Sequence, residues 1–335
     1  MRNGSNYPWK KHEDYFHKVV IDDGVTSVIG FSGLKQITEV QLGKHVTLVD
    51  NFAFYGCEKL SNVVMSTNLE TIAEDAFAGC TSLEKLVFPE NCKLRTIETG
   101  AFGGSGLKEF VAPENLETIG DEAFGYCSSL ETVILENKVQ SVGVKAFEEC
   151  RTLKRLVLGS SLKTVAYYAF YDCVTLQTLE LYSQSVTTSF QNYAFLKKVI
   201  LGGERTTTGS FSQCKALEEV ILMDGIQTID RNAFWLCSNL KQITIPETVT
   251  EIGRDALRGT GIEKLTIPAS VTKIDTYAFT GNALKEITFL GDYTPDLSKS
   301  CLQETTVVVY YPKDNPTWTQ EVRDSFSGTL TWIAQ

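Results

Sequence analysis

The sequence predicts a repeat solenoid of the α/β type: one parallel β-sheet in about 12–13 turns of about 23 residues, with short strands and turns rather than long helices on the other side. Three recurring columns predict it. An Ala-Phe pair, with Ser210 replacing the alanine once and Leu257 the phenylalanine once, returns at Phe54, Phe77, Phe102, Phe124, Phe147, Phe170, Phe195, Phe211, Phe234, Leu257 and Phe279, mostly at gaps of 22 to 25 residues with one short gap of 16. A pattern L-x-x-φ-x-φ follows it, as in Leu83, Leu86 and Phe88 or Leu240, Ile243 and Ile245. A V-x-x-I pair comes next, as in Val249 and Ile252.

Each column has a physical reading. Alternation at φ-x-φ marks a short strand, and its return once per turn pairs each strand with the next in a parallel sheet. The V-x-x-I piece runs along another wall of the coil. One unit of this length cannot bury its apolar side alone, so stacking supplies the core. Just after the first leucine column stand Ser61, Glu84, Lys108, Glu131, Lys154, Gln177, Lys197, Glu218, Lys241, Glu263 and Lys285. In register, these alternating signs sit side by side as a solvated charge ladder of small energetic weight.

Composition narrows the function. With 43% hydrophobic and 21% charged residues, the chain can bury a substantial core. Its formal charge of −10 and the absence of a basic run leave nucleic acid without an electrostatic partner. No apolar stretch approaches the roughly 20 residues of a membrane helix, and MRNGSNYPWKKHEDYFHKVV lacks the apolar centre of a signal peptide. The expectation is a protein that stays inside the cell or a piece of a longer precursor.

The unit φ-x-x-φ-x-φ-P-x-x-V-x-x-I-G-x-x-A-F-x-x-C-x-x-L resembles the BspA-like leucine-rich repeats, and residues 244 to 289 match it at nearly every position. The resemblance runs from about Val19 to Phe289. It implies a leucine-rich repeat stack from a bacterial cell-surface or secreted protein, non-catalytic, that binds a protein or glycan ligand, host extracellular ones included. A passive spacer in a larger surface protein and a cytoplasmic partner-binding protein stand as alternatives.

Seven of the nine cysteines, Cys57, Cys80, Cys127, Cys150, Cys173, Cys214 and Cys237, share one column with Ser105, Thr260 and Asn282. A position that accepts those residues asks for something small beneath a turn, so buried free thiols are expected. Parallel side chains on a ladder do not face one another as a disulfide requires, and no C-x-x-C spacing marks a zinc site. Cys92 and Cys301 are expected to add only packing or exposure. No phosphate-binding, nucleophile-elbow or H-E-x-x-H motif occurs, and His12 and His17 form only a weak H-x₄-H pair beside His45. The chain is therefore read as no enzyme, with no cofactor, no metal site and no membrane insertion, and as a monomer.

Two surfaces are candidates for binding. The position between the two strand apolars reads Val64, Val87, Val111, Ile134, Val157, Glu180, Ile200 and Ile221, then Thr244, Thr266 and Thr288. If it faces outward it forms an apolar stripe on the sheet, although valine, isoleucine and threonine are also simply good strand residues. The second candidate is the irregular middle, where Tyr167, Tyr168, Tyr171, Tyr182 and Tyr193 gather among Ser/Thr-rich loops. Tyrosine offers large contact area at little entropic cost, and the alternative is tyrosines that pack along the coil. Trp235 is a weaker candidate of the same kind.

Domain limits follow from the columns. Residues 1–18 form a leader that covers the first turn through Trp9 and Tyr15, 19–289 the solenoid, and 290–335 a C-terminal cap. The cap is read as a strand over Thr305–Tyr311, a short helix capped by Asn315 with Pro316 in its first turn and running to about Asp324, and a strand from Thr329 to Ile333, filled by Trp318 and Trp332.

Overall fold

The computed structural model describes residues 15–136, 138–184, 190–203, 205–281, 283–294 and 296–335. They form two compact units, Met1–Val174 and Thr175–Gln335. Both are built from the predicted turn, giving a β-solenoid of about thirteen turns of ~23 residues.

In the first unit, the φ-x-φ segments make a wall of three- and four-residue strands. Lys18–Val20, Glu39–Gln41 and Asn62–Val64 pair in parallel, and Glu109–Val111, Thr132–Leu135 and Arg155–Leu158 do the same further on. Register keeps each apolar column inside: Val133 lies between Phe110 and Leu156, all three buried. The V-x-x-I pieces form the second wall, two-residue strands from Ser27–Val28 to Thr164–Val165 in one seven-stranded parallel sheet. The second unit repeats this with Thr178–Leu181, Lys198–Leu201 and Glu219–Leu222, then Lys264–Ile267, Glu286–Phe289, Thr306–Tyr311 and Thr329–Ala334. Its second wall holds Thr228–Ile229, Glu251–Ile252 and Lys273–Ile274.

Between the walls the Ala-Phe pair plugs each corner. Phe31, Phe54, Phe77, Phe102, Phe124, Phe147 and Phe170 stack with centroids 5.0–5.4 Å apart. That spacing follows from strand separation and suits offset aromatic stacking. The corner backbone is tied to the next turn as well, for example by Phe54 N donating to Ala76 O at 2.8 Å.

One column assignment is corrected. Phe195 is 56% exposed, while Phe190 is buried and stacks on Phe211 at 6.3 Å. Phe190 is therefore the plug, and Ala194-Phe195 imitates the motif by chance of sequence. The gaps of 25 and 16 become 20 and 21, from Phe170 to Phe190 to Phe211. Near the C-terminus Cys301-Leu302 takes the Ala-Phe role, since Phe279 N donates to Cys301 O at 3.0 Å and both residues are fully buried.

All nine cysteines are buried and free. Each thiol of the column donates to the carbonyl of the preceding turn's plug: Cys57 to Phe31, Cys80 to Phe54, Cys127 to Phe102, Cys150 to Phe124, Cys173 to Phe147, Cys214 to Phe190 and Cys237 to Phe211, at 3.2–3.3 Å. The column thus wants a small donor. Thr260 uses its hydroxyl differently, donating to Leu257 O in its own turn. Asn282 lies outside the described residues.

The charge ladder forms in pairs: Lys108 with Glu84 at 2.6 Å, Lys154 with Glu131 at 3.0 Å and Lys285 with Glu263 at 2.8 Å. The cap is filled as expected by Trp318, which is buried and contacts Phe289 at 5.1 Å and Trp332 at 5.7 Å. Its helix is shorter than expected, Gln320–Asp324, and is capped by Thr319, whose side chain accepts from Val322 N at 3.2 Å. Asn315 instead closes a local turn, accepting from Thr317 N at 2.9 Å. At the other end Tyr15 is exposed, and Trp9 and His12 lie outside the described residues. Among the described residues no helix is long and apolar enough to cross a membrane.

Candidate functional site

From Phe54 to Phe170 the corner around each plug makes two backbone reversals, two residues before it and two after it, and both have positive φ. Glycine suits such a position, and Gly33, Gly56, Gly79, Gly104, Gly259 and Gly281 fill the second one, but Glu149, Asp172, Asn192, Gln213 and Leu236 take it in other turns. In the first unit two of the non-glycine residues are tyrosines: Tyr126 at the second reversal after Phe124 (φ 61°) and Tyr168 at the first reversal before Phe170 (φ 60°). A non-glycine residue in this region costs on the order of 1 kcal/mol. Both rings project from the core rather than filling it, since each is about half exposed.

Around Tyr168 the tyrosines cluster. Tyr167, 73% exposed, lies with its ring centroid 4.0 Å from that of Tyr168, and Tyr171 meets Tyr168 edge-on at 5.2 Å. A hydrogen bond with Tyr167, then the neighbouring phenol's charge, pushes the Tyr168 phenol up, so the group stays neutral and can both donate and accept. One turn back, Lys145 pairs with the buried Glu148 at 3.0 Å, and the hydrogen bond to Glu148 holds the ammonium charged. Tyr126 N donates to Glu148 O and Glu149 N to Tyr171 O, which places Tyr126, the Lys145–Glu148 pair and Tyr171 on successive turns. Exposed Val144 borders them. The result is an aromatic corner with a charged pair in its middle.

Of the five predicted tyrosines, the first unit brings together Tyr167, Tyr168 and Tyr171. Tyr182 and Tyr193 belong to the second unit and are half-buried. Tyr182 donates its hydroxyl to Glu180 at 2.9 Å. Tyr193 occupies the cysteine column's place one turn corner after Phe190, 5.6 Å from that ring. Tyr126 is the residue that sequence reasoning missed: its position takes glycine in some turns and Glu149, Asp172 or Gln213 in others, so a tyrosine there gave no clear signal. Trp235, at the slot after Phe234, is half-buried.

The sheet-face stripe is narrower than expected. Val64, Val87 and Val111 are exposed, Ile134 is half-buried and Val157 is fully buried. Val157 lies in register beside Ile134 of the neighbouring strand. In the second unit Glu180 and Ile200 are half-buried, while Ile221, Thr244 and Thr266 are exposed.

Where Val87 and Val111 face solvent, the wall opens. A cleft of about 560 Å³ lies between residues 85–92 and 111–114. The plugs of this turn and the next, Phe77 and Phe102, are 25 residues apart, the longest gap left after Phe190 is placed.

Burial pushes up the thiol of Cys92, the cysteine that lines the cleft. Burial pushes the thiols up, to about 12 for Cys57, Cys173, Cys237 and Cys301 and to about 11 for Cys127 and Cys214. Among the described residues no group of three His, Cys, Asp or Glu side chains is placed to hold a metal ion.

Comparison with known proteins adds the context. Residues 11–131, 117–202 and 204–315 match the family profile described as a BspA type leucine rich repeat region. A solved leucine-rich repeat protein from Bacteroides ovatus is 24% identical, covering 94% of this chain and 92% of its own, with a TM-score of 0.51. A leucine rich cell surface protein from Faecalibacterium prausnitzii is 19% identical over 93% of this chain and 90% of its own, with a TM-score of 0.45. The pneumococcal vaccine antigen PcpA is 19% identical over 95% and 84%, with a TM-score of 0.41. No curated protein matches the chain.

Proposed function

Because the chain belongs to the BspA-type leucine-rich repeat family, we propose that it is a non-catalytic recognition domain of a bacterial cell-surface or secreted protein and that it binds a protein ligand through the aromatic corner of its first unit. The observation that carries this reading is the exposure of Tyr126 and Tyr168 at nearby corners, where neither ring adds to the core. Aromatic rings held in solvent offer large contact area at little entropic cost. Tyr167 and Tyr171 widen the patch, and Lys145 with Glu148 supplies polar contacts at its centre. Such a mixture of rigid aromatic faces and a charged pair is how protein-binding hot spots are composed.

The test uses the whole chain against immobilised extracellular-matrix proteins and purified mucin. Saturable binding is expected, weakened at least about tenfold by Tyr167→Ser with Tyr171→Ser while the circular dichroism melt is unchanged. Equal affinity of the double variant would remove the aromatic corner from consideration. Binding that disappears on enzymatic deglycosylation of the target would assign the patch to glycan instead of protein, and no binding to any target would leave the domain a spacer.

A further inference from the structure

Along the corners the charge changes sign from the first unit to the second. From Phe31 to Phe170, the positions from three before each plug to one after it hold Glu74, Asp75, Asp121, Glu122 and Glu148 against the single Lys145. From Phe234 to Phe279 the same positions hold Arg231, Arg254 and Arg258 against the single Asp255. Each turn supplies only one or two of these arginines, so no basic run marks them in a chain of formal charge −10. The acids just outside these positions are engaged by backbone: Asp230 accepts from Gly209 N and Asp275 from Thr276 N, both at 2.6 Å.

The middle turn of this corner is built around a buried carboxylate. Asp255 is 9% exposed; its Oδ2 accepts from Arg254 Nε at 3.2 Å and its Oδ1 from Arg258 Nη1 at 3.1 Å. Both guanidiniums also lie over the ring of Tyr277 on the next turn, 5.5 Å and 5.9 Å from its centroid. One arginine is enough to neutralise one carboxylate, so the second leaves the cluster positive. Each guanidinium has five N–H donors and gives one to Asp255, and among the described residues neither has another acceptor. Both side chains are about half exposed, so the remaining donors meet solvent while the carboxylate and the ring hold the forks in place. Aromatic residues flank the turn on both sides. Trp235 stands one turn before Arg258 in the same column, fixed there by Leu236 N donating to Arg258 O at 2.8 Å, and Tyr277 stands one turn after Asp255. Both rings are half-buried, and exposed Arg231 precedes Arg254 in its column, next to Asn232 N donating to Arg254 O at 3.0 Å.

We propose that this corner is a second binding site, one that takes an acidic oligosaccharide: a carboxylate or sulfate on the forks of Arg254 and Arg258, with the sugar ring that carries it stacked on Trp235. Guanidinium forks match the paired oxygens of such an anion, and side chains already held by Asp255 and Tyr277 lose little freedom on binding. The aromatic face separates a sugar acid from an acidic peptide. A pyranose presents a flat C–H face next to its acid group, whereas a glutamate carries its carboxylate on a flexible stem and would leave Trp235 unused. From Arg231 to Tyr277 the corner spans two turn intervals, roughly 10 Å, so the ligand is a chain of a few sugars whose next acid group meets Arg231. The positive corner on an otherwise acidic chain supplies the attraction, and the forks and the ring supply the selectivity.

The site is tested by calorimetric titration of the whole chain with four probes: a hyaluronan octasaccharide, which carries carboxylates only, a chondroitin 4-sulfate octasaccharide, which carries carboxylates and sulfates, neutral chitohexaose, and the peptide hexaglutamate. Saturable binding of at least one acidic oligosaccharide is expected, and the comparison of the two shows which anion the forks prefer. Chitohexaose and hexaglutamate should bind at least about tenfold more weakly, and raising the salt from about 50 mM to about 300 mM should weaken the oligosaccharide at least about threefold. Arg231→Ser, at an exposed position, should cost at least about threefold with the circular dichroism melt unchanged. Arg254→Lys keeps the charge beside Asp255 and loses the fork, so it should also cost at least about threefold. Trp235→Ala should cost at least about fivefold while the salt dependence stays the same. No binding of either acidic oligosaccharide, equal binding of hexaglutamate, or unchanged affinity of Trp235→Ala would overturn the assignment. Tyr167→Ser with Tyr171→Ser lies in the first unit and should leave the titration unchanged, so failure here is distinct from failure of the aromatic corner.

Discussion

Phe190 and Phe195 offer the sharpest test of the repeat's register. The motif Ala-Phe occurs at Phe195, yet the structure buries Phe190 and leaves Phe195 56% exposed. A fully buried phenylalanine removes about 200 Å² from water, worth up to about 5 kcal/mol at 25 cal/mol per Å². Measured Phe→Ala losses in cores fall at about 3–5 kcal/mol once the cavity is included. Phe190 also loses its stack on Phe211 and its contact with Tyr193, so Phe190→Ala should cost about 4 kcal/mol. With less than half its surface covered, Phe195→Ala should cost about 1 kcal/mol.

A repeat array need not unfold in one step, so a single global midpoint is the wrong measurement. Hydrogen exchange by mass spectrometry, read on the peptides that contain Leu196–Leu201 and Leu217–Leu222, reports the affected turns directly. Phe190→Ala should raise exchange there by two to three orders of magnitude, since about 1.4 kcal/mol is a factor of ten, whereas Phe195→Ala should change it by about fivefold. A larger effect from Phe195→Ala would show that the motif, not the stacking, defines the turn.

Other consequences follow from the same packing. Native protein should leave its nine thiols unlabelled by a maleimide at pH 8 and expose all nine in denaturant, because every cysteine is buried. Burial raises the folded thiol pKa to about 11 or 12 at six positions, above the 9.0 of an ordinary thiol, so the stabilising contribution of the neutral thiols is complete below about pH 9 and is lost as pH rises toward 12; urea midpoints should be flat to pH 8.5 and fall above it. Trp318→Ala should destabilise the cap by about 3–5 kcal/mol, removing a buried ring and the donor to Gly291 O, and should expose strand edges, read as concentration-dependent light scattering. Glu131→Lys should cost only a few tenths of a kcal/mol, and about 0.5 M salt should erase the difference from wild type, because both partners of the Lys154 pair are about half exposed.

The fold was legible because its determinants repeat. One turn's Leu-x-x-φ-x-φ is weak evidence, but a dozen copies at one spacing leave no other arrangement that buries every column at once. The same reliance on repetition produced the error at Phe195: Ala194-Phe195 satisfies the motif locally, and only the ring's neighbours reveal that Phe190 is the plug. The cap helix was placed too early for a related reason, since Asn315 and Thr319 are both good caps and only tertiary packing selects between them. Burial of Val157 could not be read from strand alternation, which specifies the side of the sheet and says nothing of how tall the neighbouring side chains are.

Function is harder to read than fold for a reason visible in Tyr126. In a solenoid each position is constrained by the turn before and the turn after, so a substitution that serves packing tends to match its column. One that serves a ligand has no such reason to match. Tyr126 and Tyr168 expose large rings at corner positions that other turns fill with Gly, Asp, Glu or Asn, and the 25-residue turn breaks the spacing that most turns keep. At that turn the strand wall keeps only the isolated bridge of Val64 to Val87. Stacking spreads the cost of such departures over a sum of neighbour interfaces, so a regular array tolerates a few irregular turns. The aromatic corner is such a place, and the cysteine column, regular and buried, is the counterexample: its uniformity marks it as packing.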